Sequence, residues 1–135
     1  MKRQLKPWLY VAAVLLLIQG CFSTPFQSRK TTVSGTVTDF DTKLPIENNE
    51  VAIWGNNGVL AYRGMELKTV FTDKNGKYSA TIDVPKGYHS LNVDNISDAT
   101  KYRDYYVFLN RQRTQNCCRV EIGSTTEYDF VMLPK

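Results

Sequence analysis

From residue 31 to the end, no stretch of the chain reads as a helix. The chain shows short alternating runs rich in Val, Ile, Thr, Tyr and Phe, broken by Gly, Pro, Asn and Asp. Successive side chains of a strand point to opposite faces, so such alternation builds sheets with one buried and one wet face. Val33, Gly35 and Val37 alternate with Ser34, Thr36 and Thr38 in a first strand, which Asp41-Thr42-Lys43-Leu44-Pro45 closes with a turn. Val51 and Ile53 mark a second, with Trp54 near its end and Gly55-Asn56-Asn57-Gly58 after it. Residues 67–72 and 77–84 flank Asp73-Lys74-Asn75-Gly76, where Asn and Gly accept the positive φ of a hairpin loop. Pro85-Lys86-Gly87 turns the chain into a strand holding Leu91 and Val93, residues 95–104 read as a polar loop, and 105–109, 119–122 and 128–133 supply the last strands. The expectation is an all-β fold, a Greek-key β-sandwich of about seven or eight strands.

The amino terminus obeys a different rule. Lys2, Arg3 and Lys6 precede an uncharged apolar run at residues 8–18, the layout of an export signal. At eleven residues the run falls well short of the roughly 20 that span a bilayer. It leads into Leu17-Ile18-Gln19-Gly20-Cys21, which resembles the lipobox of bacterial lipoproteins: an aliphatic residue three before the cysteine and a small residue directly before it. The resemblance implies that the Cys21 thiol receives a diacylglycerol, that the bond after Gly20 is cut, and that the new amino group is acylated. Residues 1–20 are then a signal peptide, 21–30 a lipidated cysteine and tether, and 31–135 the β-domain. The membrane is the expected partner, through the lipid on Cys21, and the expected location is the bacterial cell envelope. Phe22 rather than Asp after the cysteine favours the outer membrane.

Removing the signal changes the electrostatics. Three of the 17 basic residues lie within 1–20 and none of the 13 acidic ones do, leaving 14 cations against 13 anions, a balance of +1. The basicity of the whole chain therefore gives no footing for a nucleic-acid partner.

Three stretches share the order and spacing of one family: Val33-Ser34-Gly35-Thr36-Val37-Thr38-Asp39, Phe71-Thr72-Asp73-Lys74-Asn75-Gly76-Lys77-Tyr78, and Val84-Pro85-Lys86-Gly87-Tyr88-His89-Ser90-Leu91-Asn92-Val93. Together they resemble the carboxypeptidase-regulatory-like domain, a transthyretin-like sandwich, and Asp129-Phe130-Val131-Met132-Leu133 fits its last strand. The resemblance implies a non-catalytic accessory module used for attachment, spacing, or contact with proteins and glycans.

Chemistry-bearing residues are sparse. His89 is the single histidine, too few for a metal site or a catalytic triad. Transthyretin-like hydrolases of the urate pathway use several His and Arg residues and finish with Tyr-Arg-Gly-Ser, whereas Tyr62-Arg63-Gly64-Met65 is internal here; related iron dioxygenases need two His and two Tyr. Asp73, Asn75 and Gly76 begin like a calcium loop, but the glycine stands fourth instead of sixth and Val84 occupies the twelfth position in place of Glu. No cofactor and no enzymatic activity are expected. Cys117 and Cys118 leave three options open: unpaired thiols, a vicinal disulfide, or an intermolecular bond or metal. Lys101-Tyr102-Arg103-Asp104-Tyr105-Tyr106, followed by Arg111, Arg113 and Arg119, interleaves rings with cations. Its Tyr102, Arg103 and Tyr106 are candidate contacts for a glycan or an envelope protein, beside the plainer reading of a strand face with solvated ends.

Overall fold

The computed structural model describes residues 28–58 and 64–135; the export segment, Cys21 and Tyr62-Arg63 lie outside the described residues. Among the described residues nine strands form: β1 (Lys30–Asp39), β2 (Glu50–Asn56), β3 (Gly64–Phe71), β4 (Lys77–Asp83), β5 (Ser90–Ile96), β6 (Tyr102–Leu109), β7 (Gln112–Thr114), β8 (Arg119–Val120) and β9 (Thr125–Pro134). They make two sheets, ordered β4-β1-β9-β6-β7 and β3-β2-β5-β8, and the chain crosses between them after β1, β3, β4, β5, β7 and β8. This is the β-sandwich that the alternation demands. Val33, Val37, Ala80, Phe130 and Met132 from one sheet are buried against Val51, Ile53, Leu91, Val93 and Val120 from the other.

β1 and β9 pair in parallel, and the paired positions are interrupted at Gly35 and Thr36. A Cβ at Gly35 would run into the Tyr128 carbonyl, and that same oxygen accepts a hydrogen bond from the buried Tyr78 hydroxyl at 2.7 Å. Burial pushes the Tyr78 hydroxyl far above its ordinary pKa, so the phenol stays a donor. Beside it the ladder is replaced by a side chain: Asp129 Oδ1 accepts from the Thr36 amide and the Thr36 hydroxyl, both at 2.8 Å.

The hairpin at residues 73–76 forms as its composition requires. Asp73 Oδ1 accepts from the amides of Asn75 and Lys77, Gly76 adopts φ +69°, and the Lys77 amide is the chief influence holding the Asp73 carboxyl below its usual range. The carboxylate that headed the calcium-like sequence is thus spent on capping a turn.

Two expectations are revised. Residues 95–104 are not all loop, because β5 runs to Ile96 and β6 opens at Tyr102; between them Asp98 caps a tight turn through Thr100. β7 is additional, joined to β6 by the two-residue turn Asn110-Arg111, both residues at positive φ. That is the geometry of a hairpin turn usually built with glycine, here without one.

The two ends of the sandwich are pinned differently. At one end, Thr72 Oγ1 donates to Ile46 O and accepts from the Asn49 amide, Asn49 Nδ2 donates to Asn95 Oδ1, and Asn95 Nδ2 points at Met132 Sδ. At the other, the Arg29 guanidinium donates to the carbonyls of Val84, Pro85 and Tyr88.

Candidate functional site

Strand parity decides what the four-stranded sheet shows to solvent. Along β5, Leu91, Val93 and Asn95 are buried, so Ser90, Asn92 and Asp94 face outward. Register then assembles a surface from three strands. Trp54 of β2 lies opposite Asn92, which lies opposite Arg119 of β8; Asn56 lies opposite Ser90, and Ala52 opposite Asp94. Directly opposed side chains stand about 5 Å apart, so Trp54, Asn92 and Arg119 form one continuous row.

This surface floors a cleft of about 950 Å³, with Tyr105, Cys117 and Cys118 along its side and the exposed His89 at its end. The Trp54 indole nitrogen is buried and has no hydrogen-bond partner, the one such side-chain atom among the described residues. Gly64 borders the ring: a Cβ there would sit 3.6 Å from Cε3, in ordinary van der Waals contact. The Tyr105 hydroxyl is raised above its ordinary pKa first by burial and then by the charges of Asp94 and Asp104, and it remains a neutral donor.

The candidates named from sequence do not come together as one patch. Tyr102 packs against the core, its hydroxyl raised by burial and by the neighbouring Asp39 charge. Arg103 is exposed, at the irregularity between Tyr102 and Asp104 in the β6–β9 ladder. Tyr106 alternates with buried Val107 and faces outward from the other sheet, with the Arg113 guanidinium 4.0 Å above its ring and Phe40 edge-on at 5.8 Å. Cys117 and Cys118 lie outside any strand, with their two sulfurs paired; Cys118 is buried and its carbonyl accepts from the Val93 amide. The β5 row itself escaped the sequence reading. Its signal was present, in a tryptophan of outward parity beside Ile53 and in the polar alternation Ser90, Asn92, Asp94.

Neither a family profile nor a curated relative matches this sequence. Among solved structures it is similar to the major pilin subunit of Bacillus cereus (19% identity, TM-score 0.48, covering 78% of this chain and 30% of that one). It is also similar to a shaft pilin of Lactobacillus rhamnosus GG (8%, TM-score 0.46, 78% and 51%) and to 3-chlorocatechol 1,2-dioxygenase of Rhodococcus opacus 1CP (12%, TM-score 0.44, 78% and 60%). The chain spans less than two thirds of the length of each. At these identities the likeness is one of shape.

Proposed function

We propose that this chain is a lipid-anchored contact module of the bacterial envelope, a transthyretin-like sandwich held at the membrane by Cys21 and working without catalysis. The observation that carries the reading is how soon after Cys21 the fold takes hold. Arg29 is locked to three carbonyls at one end of the sandwich, eight residues beyond the cysteine. Even fully extended, that stretch reaches only roughly 26–29 Å. An acyl group on Cys21 therefore keeps the domain beside the bilayer, with the end built from residues 84–89 and 121–124 nearest the lipid. Phe22 supports the outer membrane as the destination.

The test is detergent-phase partitioning of the full chain expressed in a Gram-negative host, with mass measurement of its N-terminus. The wild type enters the detergent phase starting at a modified Cys21, whereas Cys21→Ser keeps its first twenty residues and gains no acyl mass. Identical N-termini and identical partitioning for the two proteins would remove the anchor from the proposal.

A further inference from the structure

The cleft over β2, β5 and β8 has the chemistry of a site. We infer that it binds a neutral glycan, with Trp54 as the stacking platform and Asn92, Asp94 and Arg119 as hydroxyl-binding groups. This deepens the contact-module reading and rests on it only for the setting.

Three features carry the inference. The first is commitment of polar groups. Elsewhere several carboxylates are used internally: Asp39 and Asp98 cap turns, Asp73 caps the hairpin, and Asp129 holds Thr36. In the cleft, the side chains of Ser90, Asn92, Asp94 and Arg119 make no hydrogen bond to a described residue, and neither Asp94 nor Arg119 belongs to the ion pairs Lys101–Asp98 and Arg111–Glu127. Among the described residues, donors and acceptors converge there with no partner of their own.

The second is the indole. Trp54 lines the cleft with a half-buried indole ring bordered by Gly64. A pyranose ring offers what such a surface accepts, a face of C–H groups ringed by hydroxyls that both give and take hydrogen bonds.

The third is charge and size. One carboxylate and one guanidinium share the floor, so the cleft favours neither a polyanion nor a cation. Two strand spacings separate Trp54 from Arg119, about 10 Å, and four residues of β5 separate Ser90 from Asp94, about 13 Å. These dimensions suit a short oligosaccharide.

The full sequence holds two tryptophans, Trp54 and, within the segment that the proposed processing removes, Trp8. With Trp8→Phe, in a zwitterionic detergent, emission reports Trp54 alone. Titration with chitotriose, cellotriose and maltotriose is expected to give a saturable emission change for at least one of them. Asn92→Ala and Asp94→Ala should each weaken that sugar at least tenfold, and Gly64→Leu should abolish the response by covering the ring, all three melting as the parent does. The inference is overturned if a cooperatively melting parent responds to none of the three sugars. It is equally overturned if Asn92→Ala and Gly64→Leu both bind within tenfold of the parent, or if dextran sulfate binds more tightly than the neutral sugars. Because partitioning of Cys21→Ser reads the anchor separately, failure of the site and failure of the anchored-module reading are distinguishable.

Discussion

Single atoms decide the centre of this sandwich. The Tyr128 carbonyl oxygen meets both the Gly35 backbone and the Tyr78 hydroxyl, so the two residues test different physics at one oxygen. Tyr78→Phe removes a neutral hydrogen bond and leaves the ring in place, an expected loss of about 1 kcal/mol. Gly35→Ala adds a methyl group where the neighbouring strand's backbone stands, and two packed central strands have nowhere to move it. Its expected cost is larger, on the order of 2–4 kcal/mol, the range of overpacking and strain combined. Denaturant midpoints of the two variants should therefore rank Gly35→Ala well below Tyr78→Phe. Equal midpoints would mean that the strands part freely at Gly35. Sequence alternation reads this glycine as one more core-facing position and is silent on why nothing larger fits, because the reason lies on β9.

At the scale of elements, what alternation and turn residues encode was legible. Val33 and Val37, Tyr78 and Ala80, Leu91 and Val93 are buried as their parity requires. The hairpin at residues 73–76 was legible because Asp, Asn and Gly are the residues its backbone needs. β7 was hidden because Asn110 and Arg111 do that work without a glycine, and the row Trp54, Asn92, Arg119 was hidden because register, not spacing, creates it. Register is also what the polar cluster at one end of the sandwich protects. Thr72 joins Ile46 and Asn49, and Asn49 joins β5 through Asn95. Thr72→Val keeps the shape but strands the Asn49 amide in a buried place, an expected loss of about 1–3 kcal/mol. Amide exchange at Asn49 should quicken accordingly while exchange at Phe130 follows global stability; unchanged protection at Asn49 would show that the threonine is dispensable.

For the molecule as a whole, charge tests the proposed processing. Lys2, Arg3 and Lys6 fall in the segment that the lipobox reading removes, and no acidic residue leaves with them. The chain of 135 residues carries +4, whereas residues 21–135 carry +1, and acylation of the new terminus adds no positive charge. Isoelectric focusing of wild type and Cys21→Ser from the same host is expected to place the wild type nearer neutrality by at least three charges, a separation that mass alone could confuse with proteolysis elsewhere. Coincident focusing positions would mean that the basic segment stays on the protein. The consequence reaches the cleft. A domain near zero net charge has little long-range attraction for charged polymers, wherever the proposed anchor holds it. Whatever it holds must be recognised at contact by stacking and hydrogen bonds, which are what the Trp54 face supplies.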